Sequence, residues 1–154
     1  MFGRKQQQSS PTAPRTMEMD LQWGGYYSFK RDDGTYGIFR LIDFNRTTRH
    51  AALYRDSFPK PPTLAEAEAA TPFIMHAPMA AASLFNEQDL RLIGGKPFVA
   101  GDLEGWGYYM QQTGVTEETF KRLVDAINAF ARQQPVRVRL TEAADGGVTV
   151  EQLK

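Results

Sequence analysis

The sequence predicts an α+β fold: an N-terminal antiparallel β-meander, which could curl into a small half-barrel, packed with a mixed middle and a C-terminal helix plus β-hairpin. Three observations carry this. Between Trp23 and Asp56, three short runs rich in aromatic and branched residues are separated by tight turns. Between Thr116 and Gln133 an apolar stripe recurs at helical spacing. Strands and helices nowhere alternate in the strict order of a doubly wound nucleotide-binding sheet.

Residues 1–20 are rich in Gln, Ser, Thr and Pro and read as a mobile arm, leaving 21–154 as a single domain. In Tyr26–Lys30, Tyr27 and Phe29 fall on one face, and Tyr26, Ser28 and Lys30 on the other. Asp33-Gly34 supplies the reversal to Tyr36–Asp43. There Phe39 and Leu41 share one face and Ile38 and Ile42 share the other, so this strand should be central and covered on both sides. Gly37 within it points to a bulge or a close backbone approach. After the turn at Asn45–Thr48, His50–Arg55 returns as a third strand.

Pro59, Pro61 and Pro62 stop the sheet. Thr63 can cap a short helix over Leu64–Ala70, with Glu66 at its third position. Phe73–His76 reads as a strand, and Pro78–Phe85 as the start of a helix with proline in its first turn. Asp89–Ile93, Gly94-Gly95 and Lys96–Val99 read as a second hairpin. Leu103, Trp106, Tyr109 and Met110 suit a helix over Gly101–Gln112, weakened by Gly105 and Gly107. Thr116 then caps the long helix, and Pro135 forbids its continuation. Val136, Val138 and Leu140 alternate with Arg137 and Arg139 as a half-exposed strand. Asp145-Gly146-Gly147 turns the chain into a last strand at Val148–Val150.

Composition narrows the chemistry. With 154 residues, 42% of them apolar, the chain can bury a core without metal or disulfide. It contains no cysteine, which removes thiolate nucleophiles, iron–sulfur clusters and cysteine-ligated zinc. The formal net charge of zero divides unevenly: residues 1–60 hold ten Lys/Arg against six Asp/Glu, and residues 61–154 hold eight against twelve. Such a dipole could steer an acidic partner to the N-terminal half, but a dedicated nucleic-acid binder is expected to be far more basic. No apolar run approaches the ~20 residues that span a bilayer, and the first twenty residues lack a secretory hydrophobic segment. The expectation is a soluble protein with no membrane partner, cytoplasmic in a bacterium.

No motif demands a particular reaction, so the reading leans away from an enzyme and names no catalytic residue, cofactor or metal ligand. Ile93–Pro97 lacks the leading glycine of a phosphate loop and has proline where Ser/Thr should bind magnesium. Asp102 and Glu104 lack the further ligands of a calcium loop, and Ser28, Ser57 and Ser83 lack nucleophile-elbow glycines. His50 and His76 are not at zinc spacing. They would matter if they met in space with Asp43 or Asp56, which would give a small-ligand-binding protein or a hydrolase. Otherwise they are structural or surface histidines. The aromatic–basic set Tyr26, Lys30, Arg31, Tyr36 and Arg40 is the candidate partner-binding face, because tyrosine and arginine favour surfaces that a partner buries. The competing reading puts those rings in the core.

Gly24-Gly25-Tyr26-Tyr27-Ser28-Phe29 followed by Asp33-Gly34-Thr35-Tyr36-Gly37-Ile38-Phe39-Arg40-Leu41 resembles the opening of the Imm26-like group of small bacterial immunity proteins. Those begin with a Gly-Asp-x-Phe/Tyr-x-Ile-Pro strand, an Asp-Gly-x-Tyr-Gly turn and a Gly-x-Val-Leu strand. Here Gly25 replaces the Asp, and Phe29-Lys30 replaces Ile-Pro. The resemblance spans about twenty of the 154 residues. It implies a non-catalytic protein-binding module, immunity-like, that neutralises a bacterial toxin by binding it.

Overall fold

The computed structural model describes residues 13–154 and has the expected α+β architecture, built on two antiparallel sheets. The larger sheet holds β2 (Gly25–Lys30), β3 (Tyr36–Phe44), β4 (Thr48–Tyr54), β5 (Pro72–Ala80) and β6 (Gln88–Gly95) in the order β5-β4-β3-β2-β6. The smaller holds β1 (Thr16–Leu21), β7 (Val136–Glu142) and β8 (Val148–Gln152) in the order β1-β7-β8. Three α-helices join them: α1 (Leu64–Ala69), α2 (Glu104–Gln112) and α3 (Glu117–Ala131). Short 3-10 turns occupy Ala81–Asn86 and Ala100–Leu103.

Period-2 alternation in β3 decides the layers. Phe39 and Leu41 face the small sheet and pack with Tyr27, Met19, Leu21, Val138, Leu140 and Val148. Ile38 faces the other way, beneath α1, with Tyr26, Ala52 and Tyr54. Ile42, also on that side, meets Trp106 of α2 and Ile127 of α3. The central strand is therefore covered on both faces, as its sequence requires. Gly37 marks a close approach and not a bulge: a Cβ there would fall 2.5 Å from Arg31 Nη2. The β2–β3 register runs unbroken past it.

Caps behave as the sequence suggests. Thr63 Oγ1 accepts from Glu66 N at 3.2 Å while Glu66 Oε1 accepts from Thr63 N at 3.0 Å, a reciprocal box that starts α1. Thr116 Oγ1 accepts from Thr119 N and starts α3.

Three expectations are corrected. Thr16–Leu21 is not part of an arm but strand β1, paired with β7 from Thr16↔Thr141 to Leu21↔Val136, because Met19 and Leu21 have a core to enter. The rest of the proposed arm, residues 1–12, lies outside the described residues. Gly94-Gly95 is not a hairpin turn. Strand β6 finds β2 as its partner, Tyr26↔Gly94 and Gly25↔Gly95, and Lys96–Val99 leaves the sheet. Pro78 does not open a helix but sits within β5 opposite His50, where an edge strand tolerates a missing donor.

Candidate functional site

The five hairpin residues do not form one outward face. Tyr26 and Arg40 are register partners, each only 4% exposed. Arg40 Nε donates to Gly24 O at 3.1 Å, Nη1 to Asp102 Oδ2 at 3.1 Å and Nη2 to Lys96 O at 2.9 Å. Its guanidinium lies between the rings of Tyr26 (4.9 Å) and Phe98 (4.2 Å). Its hydrogen-bonding edges and both of its faces are thus engaged within the chain. Arg31 reaches Ser57 Oγ at 2.8 Å and Asp56 O at 3.1 Å, and Tyr36 Oη donates to Asp89 at 3.3 Å, while Lys30 is exposed. The docking face expected here is corrected for a simple reason. Tyr26 and Arg40 are buried on the sheet face that α1 and the segment after β6 cover, while Lys30, on the same face, stays exposed.

The structure does bring the two histidines together. His50 on β4 and Pro78 on β5 are opposite one another, and His76 lies two residues along on the same face. His50 Nδ1 and His76 Nε2 are 2.7 Å apart. The ring centroids are 5.0 Å apart and the planes 15° from parallel. Two five-membered rings satisfy all three values only when joined edge to edge in nearly one plane, so this is an in-plane N–H···N bond and not a face-to-face stack. One imidazole donates and the other accepts. Burial lowers the pKa of both. His76, which also feels His50, is brought down to about 4, while Asp43 opposes the shift at His50. Both rings are neutral at pH 7.

Helix α2 closes over the pair. Gly105 makes this possible, since a Cβ there would stand 3.1 Å from Met75 Cβ and 3.3 Å from His76 Cβ. One turn on, the Tyr109 ring lies 4.8 Å from His76 and 5.5 Å from His50. The expected carboxylates do not complete a catalytic set. Asp43 Oδ1 accepts from Trp23 Nε1 (3.0 Å) and Phe44 N (2.8 Å), and the Asp56 carbonyl accepts from Arg31. Among the described residues no group of three or more His, Cys, Asp or Glu side chains is placed to hold a metal ion.

Two hollows lie next to this seam. A cleft of ≈ 470 Å³ is lined by Tyr26, Tyr54, Glu68, Met75, Lys96, Phe98, Val99 and Asp102. Burial, with the neighbouring Tyr26 phenol adding to it, raises the pKa of the Tyr54 phenol, so that hydroxyl stays protonated. A more apolar groove of ≈ 750 Å³ runs between α2 and α3, lined by Leu103, Tyr108, Phe120 and Val124 with Glu104, Lys121 and Asp125 at its rim. Among the described residues, the exposed large hydrophobic side chains are Phe73, Ile74, Met75, Val99, Tyr108, Phe130 and Val150. Five of those seven belong to the start of β5, the loop before α2, and α2 itself. Val99 and Tyr108 are each 68% exposed. The sequence carried a partial signal for this face in the aromatic run Trp106-Gly107-Tyr108-Tyr109. Only the packing separates the buried Trp106 from the exposed Tyr108.

No helix among the described residues is long and apolar enough to cross a membrane. Comparison of the chain with family models, with curated proteins and with solved structures found no match.

Proposed function

We propose that this is a non-catalytic protein-binding module whose contact surface is the face built from Met75, Val99 and Tyr108 with the two hollows beside them. The observation that carries the reading is the gathering of exposed apolar side chains there, where a soluble surface of this size would scatter them. Tyrosine at the rim of an apolar groove is a typical binding anchor. The rim charge names the partner's chemistry. Arg40 is neutralised by Asp102, and Lys96 lies 3.5 Å from Glu68. Glu104 and Asp125 then outweigh Lys121. A protein presenting an apolar projection ringed by cations fits this face. Combined with the resemblance of the opening hairpin, the reading becomes an immunity-like protein that neutralises a toxin by occupying it.

Photo-crosslinkers placed separately at Val99, Tyr108 and, as a control, Thr149 test this in the native cell. One basic polypeptide should be captured from the first two positions only. That polypeptide, once purified, should bind the wild-type chain and lose at least tenfold in affinity to Tyr108→Ser. Equal capture from all three positions would sink the idea. A second reading has its own observation in the cleft, where two largely buried phenols border mixed polar and apolar walls. On that reading the protein holds a small, uncharged, hydrogen-bonding ligand. Tyr26 and Tyr54 would then shift in the NMR spectrum on addition of such a compound, and the response would vanish in Tyr54→Phe.

A further inference from the structure

We propose that the His50–His76 pair is a proton-sensitive latch that holds α2 against β5. The added consequence, that acid weakens partner binding at Tyr108, rests on the function proposed above; the latch itself does not.

The geometry supports it in four ways. First, the pair lies at the seam of β4, β5 and α2, and the side chain packed on it from α2 is Tyr109. Second, among the described residues no side chain of Glu104–Gln112 makes a hydrogen bond to either sheet, so burial and ring contacts hold the helix. Third, the helix's buried polar atom Trp106 Nε1 has no partner, which taxes the docked state. Fourth, an edge-to-edge pair has room for one proton between its facing nitrogens. A first added proton goes to an outer nitrogen and leaves the bridge intact, but it places a charge beside Tyr109 in a partly buried seam. A second sets N–H against N–H and forces the rings apart. Lifting α2 admits water and relieves both.

The charged and titratable groups around the pair are few. Asp43 faces His50 from β3 and favours its charged form, opposing the latch. From α2 the facing group is Tyr109, with Glu104 a turn before it at the helix start. Strand β5 contributes no other titratable side chain. The Arg40–Asp102 ion pair lies in the turn just before α2.

With the docked His76 titrating at about 4 and an exposed histidine near 6.5, the opening of α2 should rise roughly tenfold or more between pH 7.5 and pH 5. Amide hydrogen exchange on the full chain, corrected for intrinsic rates, reads this directly. Protection over Trp106–Gln112 should drop about tenfold across that range while β7 holds. His76→Gln should abolish the drop, and Asp102→Asn should keep it. An unchanged drop in His76→Gln, or loss in β7 as large as in α2, overturns the latch. Should His76→Gln fail to fold, ¹⁵N titration of the wild-type imidazoles decides instead: both must remain neutral at pH 6, and two ordinary titrations near 6.5 would overturn it. Binding of the crosslinked partner at pH 5 and pH 7.5 separates the two claims. A latch without pH-dependent binding leaves the hydrogen-exchange result standing and removes the binding face.

Discussion

Arg40 is accommodated at 4% exposure because acceptors from three segments converge on it. Gly24, Lys96 and Asp102 satisfy its donors, and Tyr26 and Phe98 cover its faces. Removing the side chain would leave two carbonyls without their donor and Asp102 with only Val99 N, at the point where the segment after β6 is pinned. Arg40→Ala should therefore cost about 3 kcal/mol in urea denaturation, within the range for breaking a buried pair. Arg40→Lys should recover less than half of that, since one ammonium cannot reach acceptors on opposite sides. Recovery to wild-type stability would show that charge alone matters there. Asn128 works beside it, taking Phe98 N on Oδ1 at 2.8 Å and giving Nδ2 to Phe98 O at 3.2 Å.

Among the elements, β5 is an edge strand of the larger sheet, and it carries devices that discourage strand addition. Pro72 and Pro78 lack donors, and the pairing with β4 shifts register twice along its length. A partner docking there, as proposed, would meet side chains and not backbone pairing. The outer face of the three-stranded sheet is a poor alternative. Arg139 bridges Glu18 and Glu151 at 3.3 and 3.0 Å, and Arg137 meets Asp20 at 3.4 Å. These exposed pairs add little stability, but they keep that face polar. Helix α2 depends on the missing side chain at Gly105. Alanine would raise its helix propensity by about 1 kcal/mol, yet its Cβ meets Met75 Cβ and His76 Cβ, atoms fixed close to the backbone of β5. The clash should win. Gly105→Ala should lower the thermal midpoint by a few degrees and raise hydrogen exchange in α2; a stabilised variant would mean that the helix sits less closely than described.

Acid should act on the whole molecule in two windows. His50 and His76 have folded pKa values below their unfolded one, so the unfolded chain binds more protons as pH falls from 6.5 toward 4. The stability they permit is present above pH 6.5 and is lost progressively on acidification through that range. Asp33, Glu66, Glu142 and Asp145 are held below their usual range by hydrogen bonds from Thr35, Thr63, Arg15 and Gly147 respectively. Their contribution is lost only as pH falls below about 4. The urea midpoint should thus decline first between pH 6.5 and 4.5, and His76→Gln should flatten that segment while leaving the lower one in place. A single decline confined below pH 4 would remove the histidines from the account. If the binding face is as proposed, association should slow with added salt, since an acidic rim gains on-rate from a cationic partner.

Local chemistry was enough to write most of the fold. Alternation placed β3 between two layers, Asp33-Gly34 turned the hairpin, Thr63 and Thr116 started their helices, and the stripe from Phe120 to Ala131 defined α3. These depend on periods and caps that a few neighbouring residues express. What the chain could not show locally was pairing at a distance. The strand partners of Thr16–Leu21 and Gly94-Gly95 lie far along the sequence, and only those partners make them strands. The same holds for the site. His50 and His76 stand 26 positions apart, and neither carries a mark of the other until β4 and β5 align and Gly105 lets α2 settle over them. Tyr26 and Arg40 looked outward because an aromatic–basic pattern reads the same whether a partner or the protein's own loop covers it. Tertiary packing decides which, because burial belongs to the assembled layers and not to any one strand.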